Sequence, residues 1–533
     1  MIKINKICSV LLLGLALGIT PYSLSAEKPG KAPEIRMLVA QYEKTIEFMM
    51  PEGGFWNLGK EATGQIEPGV TYKIQGDIRN EAERKYHLMV ATVDLEDDMS
   101  LMDIQELYKR KGFKTHQITV GETANNYRMP ANPVIHIGID CYNDKEKAEE
   151  KKFELSEKGI KTWIYIENIR PASGFLKMSG NKQSFAGTFS EGTGYTLTPK
   201  KGIVLKKVEH SKGYSWHGTE NRTYMGKLKI GFGYDNLLDC VEYTDLEEVL
   251  IGVVPSEISS KAPQDAMRSQ AVAARGEILA KKGLRHVNSG YDFCSEQHCQ
   301  VYKGYLQNHD TISQKIEATR GQILMRADAN KILDAVYSSN CGGHSSANQN
   351  IWIGNPNPHL QGVSDEKSPQ KRDLTKEKDV ADYINNPPVS WCGSKGVEGA
   401  SKYRWTKNLN KEDWTKVEEK ANIGKIKNIK IISRDVSGRV YTMKLFGEKG
   451  NKTIMNELEI RQLFCGLKSS CFIAEFKKDK KTDFITSASF KGAGFGHGVG
   501  MCQTGAQAMA SSNFSYETIL KHYFPKSRLV TLY

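Results

Sequence analysis

After Ile19 the chain has no run of residues apolar enough to cross a bilayer, so the mature protein is expected to be soluble outside the cytoplasmic membrane. It has no glycine-rich loop with the spacing that cradles a nucleotide phosphate. It has no recognisable nucleic-acid-binding motif. The formal charge of +12 therefore leaves two readings: a solvated, lysine-rich surface, or attraction to an acidic polymer other than nucleic acid. What is there is ordinary globular composition, 39% hydrophobic and 26% charged, over 533 residues. That length suggests about two to four domains, with no difficulty in burying a core.

Residues 1–26 read as an export signal. Lys3 and Lys6 give a basic start, Val10 to Ile19 a short apolar run, and Ser23, Ser25 and Ala26 the small residues of a cleavage site. Cys8 precedes the apolar run and is not placed like a lipoprotein cysteine. The remaining cysteines are odd in number, so at least one is unpaired or a ligand. Cys465 with Cys471, and Cys341 with Cys392, are possible disulfide pairs.

Residues 27–82 read as a β segment, with a strand at Ile35–Ala40 and turns at Gly53-Gly54 and Pro68-Gly69. Residues 83–170 hold an internal repeat. Two strand–helix–strand halves follow one another, and Lys111-Gly112-Phe113-Lys114-Thr115 recurs as Lys158-Gly159-Ile160-Lys161-Thr162. The pattern predicts one βαββαβ domain, a four-stranded sheet backed by two helices. Residues 171–240 read as β, and 365–403 as a lysine-rich surface excursion with Asn385-Asn386-Pro387-Pro388 as its clearest loop.

The stretch from Thr244 to Gly283 organises the rest. It reads as helix, short break, helix. Thr244 and Glu247 have capping-box spacing, Gly252 and Pro255 end the first helix, and Pro263 opens the second. Glu257 lies in the break. A carboxyl held half-buried there would have a raised pKa and could donate a proton near neutral pH. Beyond it, His286, Cys294, His298 and Cys299 offer two nitrogens and two sulfurs that suit a tetrahedral zinc; a Cys294–Cys299 disulfide is the alternative. Four protein ligands would leave no position for water, so such a zinc would be structural. A strand then enters a Gly-Gly turn in Ala335-Val336-Tyr337-Ser338-Ser339-Asn340-Cys341-Gly342-Gly343-His344-Ser345. Trp352 downstream reads either as core or as a sugar-stacking ring. A third segment is dense in glycine around one histidine: Gly494-Phe495-Gly496-His497-Gly498-Val499-Gly500-Met501-Cys502-Gln503-Thr504-Gly505-Ala506. Backbone must pass close to something there.

Tyr243 to Ile258, Ala266 to Arg275 and the two later motifs occur in an order that closely resembles the SpoIID/LytB family, over somewhat more than half the chain. The resemblance implies an α+β catalytic domain over 171–533, with a helical active-site segment and β-rich parts. Catalytic members of the family are lytic transglycosylases of peptidoglycan, and their acid matches Glu257. The family's cleft positions match Gln270, Arg275, Tyr337, Ser338, Ser339, Gly342, Gly343, His497 and Gln503. Some members carry a structural zinc whose ligands match His286, Cys294, His298 and Cys299. Cys502 stands where a serine is often found, and a Cys502–His497 thiol nucleophile lacks a third, orienting group. The 83–170 unit is similar in pattern to SPOR domains, which bind glycan strands without stem peptides. The implied partners are peptidoglycan strands and, in the non-catalytic LytB reading, a cell-wall amidase. No second acidic motif accompanies Glu257, so two-carboxylate hydrolysis lacks a candidate pair.

Overall fold

The computed structural model describes residues 30–533, apart from 60–61, 122–131, 181–182, 190–193, 211–216, 297, 307 and 353–355. The expected export signal lies outside the described residues. No helix among them is long and apolar enough to cross a membrane.

The mixture of helices and strands expected from the sequence is present, and its parts divide differently from the sequence reading. Strand Glu34–Tyr42 pairs antiparallel with Leu238–Asp245. The opening β segment is thus not a separate unit; it shares a body with residues 171 onward. Seven strands form one sheet, in the order Phe293–Cys294, Glu34–Tyr42, Leu238–Asp245, Lys227–Phe232, Gly194–Pro199, Gly54–Leu58 and Ala62–Ile66. A six-stranded sheet holds Thr45–Met49, Thr71–Asn80 and Ser173–Gly180 among its members. Residues from both sheets and from the helices behind Leu238–Asp245 form one continuous apolar core. Alternation sets which side chains enter it: in Gly54–Leu58, Trp56 and Leu58 are buried while Phe55 is exposed.

The βαββαβ unit forms as the repeat predicts. Its strands are Glu83–Asp94, His116–Val120, Val134–Tyr142 and Trp163–Arg170; its helices are α1 (Asp98–Arg110) and α2 (Lys145–Glu157). All strand pairs are antiparallel, with the first and third strands central. Asp97 and Asp144 cap the helices, accepting from Ser100 N at 3.0 Å and Glu146 N at 2.8 Å. Gly112 and Gly159 end them at φ 85° and 74°. The unit has its own core around Leu88, Ile137 and Leu155. It docks through Asn168 Nδ2, which donates to Val287 O and Ser289 Oγ.

Strand Leu238–Asp245 runs straight into α3 (Leu246–Glu257), which a short turn joins to α4 (Gln264–Lys281). Two local expectations fail here. The cap is Asp245, whose side chain accepts from Glu247 N at 2.8 Å, not Thr244. Glu247 is free to turn inward because it does not close a capping box. Nor do Gly252 and Pro255 end α3. The helix continues to Glu257, and Ser256 Oγ donates to Gly252 O at 2.7 Å. Gly252 is there because the Tyr302 ring crowds it: a Cβ would lie 2.6 Å from that ring.

The 365–403 excursion is the entrance to a larger insert. Asp365 and Cys392 are fully buried and Tyr383 nearly so. Residues 404–493 then build two three-stranded sheets and the helices Lys411–Ala421 and Glu457–Leu463, around a second core of Trp414, Phe464, Phe472 and Phe490. Aromatic rings pack against one another at its centre, with aliphatic side chains around them. Within the insert the structure holds Cys465 and Cys471 as free thiols.

Candidate functional site

Glu257 is the last residue of α3 and is partly buried. Its Oε1 accepts from Val301 N at 3.3 Å, and Gln503 Nε2 lies 3.5 Å from Oε2. Burial raises its pKa to about 7; the negative charge of Glu277 adds to the rise, and the two amide contacts oppose it. None of these influences is a cation. The C-terminal end of a helix dipole also disfavours an added negative charge. A raised pKa does not by itself mark a site, since buried Glu242 and Asp239 also reach about 7. Glu242 is spent on Tyr302 OH and Gly226 N, and Asp239 on Gln41. Glu257 differs in lying where three distant segments meet.

Those segments meet through backbone pairing. Tyr337–Ser338 runs parallel to Met501–Cys502. Asn340 and Phe495 exchange both backbone hydrogen bonds, at 3.1 and 2.8 Å. The alternating glycines make this possible: Gly494, Gly496, Gly498 and Gly500 all have positive φ, which a chain of L residues would resist. The following helix begins at Gln503, which also approaches Gln270 Oε1 at 3.3 Å. Behind Glu257, Tyr337 OH donates to Gln300 Oε1 at 2.5 Å and Gln300 Nε2 to Glu277 Oε2 at 2.8 Å. Burial pushes Glu277 up, but Lys281 at 2.5 Å brings its pKa down overall, so Glu277 stays ionised and occupied. Glu277 and Gln300 escaped the sequence reading because a lone Glu or Gln on a helix or loop carries no signal.

Gln503 approaches both Glu257 and Gln270, Tyr337 feels the charge of Glu257, and Ser338 and His497 lie on the same two paired segments as Tyr337 and Gln503. Gln270 Nε2 and Ser338 Oγ are buried and without a hydrogen-bond partner among the described residues. His497 is partly buried with Nδ1 accepting from Val499 N; burial lowers its pKa to about 4, so it is neutral at neutral pH. Trp352 is 41% exposed, its ring 5.0 Å from that of His497; it is not a core residue. Ser339 Oγ accepts from Lys402 Nζ at 2.8 Å, a cation the sequence did not flag.

Other expected cleft residues are not available to a ligand. Arg275 is fully buried, and its guanidinium is consumed by Glu247 (2.8 and 2.7 Å) and Gln322 O (2.9 Å). Gly342 and Gly343 are buried against the insert, where a Cβ would meet Ala493 or Tyr383. They permit close packing and do not line the cleft. Cys502 is fully buried, and its Sγ lies among Cys341, Asp365 and Cys392 and accepts from Cys341 N, which leaves the thiol-nucleophile reading without support.

The four residues of the Cys/His loop converge. His286 Nε2 is 3.2 Å from Cys299 Sγ, and His298 Nδ1 is 3.4 Å from Cys299 Sγ and 3.8 Å from Cys294 Sγ. All four ligand atoms lie within 4.8 Å of one another. Zinc–nitrogen bonds of about 2.05 Å and zinc–sulfur bonds of about 2.3 Å give a tetrahedral N···S edge of roughly 3.6 Å, so the donor set fits zinc. His298 and Cys299 can both point inward because they lie in a turn, with Cys299 N donating to Glu296 O. The loop continues into Gln300 and Val301, the two residues that touch the Glu257 network.

Residues 234–325, which contain α3, α4 and this loop, match the family model described as "Stage II sporulation protein". Residues 346–500, nearly the insert, match one described as "Domain of unknown function (DUF8618)". The "Amidase enhancer" of Bacillus subtilis (strain 168) is 27% identical over 296 residues, 53% of this chain and 40% of that protein. The "Stage II sporulation protein D" of Bacillus amyloliquefaciens is 28% identical over 301 residues, 53% of this chain and 74% of that protein. An uncharacterized protein of Brachyspira hyodysenteriae is 26% identical over 328 residues, 61% of this chain and 75% of its own length. The class is thus a SpoIID-type domain interrupted by an inserted unit. Residues 234–325 carry a domain of the SpoIID/LytB family.

Burial of Glu257 has a thermodynamic signature. Between its ordinary value of 4.5 and about 7 the folded chain holds a proton that the unfolded chain has lost. Stability therefore falls as pH rises through that window. Glu257→Gln removes this share of the loss, so its stability relative to wild type should climb from pH 4.5 to 7 in urea unfolding. A constant difference across the window would mean that Glu257 titrates normally.

Proposed function

We propose that the protein is a peptidoglycan lytic transglycosylase in which Glu257 acts first as acid, then as base. The observation that carries this is a single partly buried carboxyl with pKa near 7 at the meeting point of three motifs, with Glu277 beside it held ionised by Lys281. Protonated Glu257 gives its proton to the oxygen linking N-acetylmuramic acid to N-acetylglucosamine, and the C1–O bond breaks. The resulting carboxylate takes the proton of the muramyl C6 hydroxyl as that oxygen bonds to C1, leaving a 1,6-anhydro end. Acid and base act in sequence, so one carboxyl serves both steps and no water is activated. Neutral His497, Gln270 and Gln503 offer hydrogen bonds to the sugar, and exposed Trp352 a stacking face. Glu257→Gln should cut anhydro-product formation from purified glycan strands by at least about a hundredfold, the usual scale of general acid–base catalysis. Turnover like wild type, read by mass spectrometry, would refute the assignment.

The name of the amidase-enhancer relative favours a second reading: a wall-binding protein that stimulates an amidase without cleaving glycan. Under it, the wild-type protein yields no anhydro ends, and Glu257→Gln stimulates amidase as wild type does.

Zinc at His286, Cys294, His298 and Cys299 would be structural, with four protein ligands. The zinc would supply no chemistry and would fix the loop that places Val301 N on Glu257. Cys294→Ser should lose about one zinc per chain by metal analysis, because a closed site holds a single ion. Unchanged zinc content, or a Cys294–Cys299 cross-link in a peptide map, would count against it.

Glycan lacking stem peptides is the proposed substrate, held partly by the SPOR-like unit. Its sheet presents His136, Trp163 and Tyr165 to a cavity of about 980 Å³ shared with Arg285, His286 and Tyr291. Aromatic faces suit sugar rings, and Arg285 suits lactyl carboxylates. The repeated lysines serve elsewhere: Lys161 lies over the Tyr441 ring and Lys111 over that of Tyr108. In the Glu257→Gln background, Tyr165→Ala should weaken binding to amidase-treated sacculi more than to intact sacculi. Equal binding with and without Tyr165 would leave the unit a structural insert.

A further inference from the structure

Outside the cleft, one cluster of ligating side chains serves neither the proposed chemistry nor the Cys/His loop. Cys341, Asp365, Cys392 and Cys502 place their sulfur and carboxylate atoms within 4.8 Å of one another. Each is 0 or 1% exposed. They come from four separate places: the end of the Tyr337 strand, the entrance to the insert, a short turn at Trp391–Gly393, and the residue that caps the Gln503 helix.

A fully buried carboxylate with three thiols and, among the described residues, no lysine or arginine bound to it calls for a compensating charge. Asp365 accepts from Cys392 N at 2.8 Å and from Tyr523 OH at 2.6 Å. The imidazole Nε2 of His522 lies 3.6 Å from Asp365 Oδ1, buried and lacking a hydrogen-bond partner among the described residues. Cys502 Sγ receives two backbone amides, Cys341 N at 3.2 Å and Gly505 N at 3.4 Å. Amides aimed at sulfur stabilise a thiolate, the form that binds metal. Cys341 Sγ and Cys392 Sγ are 3.7 Å apart. Zinc–sulfur bonds of about 2.3 Å set a tetrahedral S···S edge of roughly 3.8 Å. Gly505 has no side chain where a Cβ would lie 2.8 Å from Asp365 Oδ1, so the helix start is shaped around the carboxylate.

We infer that Cys341, Cys392, Cys502 and Asp365 form a second closed site for a zinc ion, which clasps the insert to both later cleft motifs. Three thiolates and one carboxylate in tetrahedral disposition select zinc over hard cations, which prefer six or more oxygens. Tyr523 OH and Cys392 N hold the carboxylate in orientation, the outer support such ligands receive. The ion would anchor the residue immediately before Gln503, and so the amide that approaches Glu257. The competing use of these sulfurs is a Cys341–Cys392 disulfide, which would leave Cys502 alone against Asp365.

The test uses the exported full chain, purified without reductant or chelator. Wild type should carry about two zinc ions, one for each closed site. Cys392→Ser should carry one fewer, and Cys294→Ser/Cys299→Ser should retain one. Cobalt(II) added to the Cys294→Ser/Cys299→Ser protein after a chelator has removed its retained zinc should give thiolate-to-metal charge-transfer absorption, and Cys502→Ser in that background should abolish it. That measurement decides the matter if Cys392→Ser does not fold. Equal zinc in wild type and Cys392→Ser, no thiolate–cobalt band, or a peptide map joining Cys341 to Cys392 would overturn the proposal.

Discussion

The ion pair between Glu247 and Arg275 is the constraint on which the site depends. It is bidentate and buried, and it ties the first turn of α3 to the middle of α4. Tyr533 OH and Gly321 N complete the carboxylate's partners. Losing one member of such a pair costs about 3–5 kcal/mol, because the other charge is left without compensation. The pair also fixes where α3 ends. Since α3 is rigid from Asp245 to Glu257, holding its start against α4 determines where the carboxyl at its end lies.

Around that end the site is assembled from parts that are distant in sequence and individually weak. Val301 N, Gln503 Nε2 and Gln270 make modest contacts, at 3.3 to 3.5 Å. Each sits on an element fixed by something stronger: the Cys/His loop, the parallel pairing of Tyr337–Ser338 with Met501–Cys502, and the packed face of α4. The polar groups are thus placed by scaffolding and leave the carboxyl with little stabilisation of its charge.

Much of this was legible in the sequence where the signal is local. The βαββαβ unit and its glycine-ended helices rest on a pattern that recurs within one continuous stretch, the Cys/His cluster on close spacing, and Glu257 on the resemblance of its surrounding segment to the SpoIID/LytB motif. What was missed depends on partners far along the chain. Glu247 has the spacing of a capping box, but the ion pair with Arg275 outweighs it, and Asp245 caps instead. Arg275 looked available because a sequence cannot show that its partner is buried beside it. Gly342 and Gly343 signalled close approach correctly, but the approaching surface is Tyr383 and Ala493 of the insert. The second core escaped notice because its strands alternate like any others. The pairing of the 34–80 strands with those after residue 171 crosses a whole inserted unit, and no local pattern encodes it.

The chain leaves the cleft after Asn340 and returns at Phe495, and these two residues share backbone hydrogen bonds. The intervening segment therefore begins and ends at nearly one point of the larger body. Closing a loop grows costlier only as the logarithm of its length, about 0.6 kcal/mol per doubling. A module grafted at such a doorway places little conformational demand on its host. Its size and content can change over evolution while the two motifs on either side of the doorway keep their register.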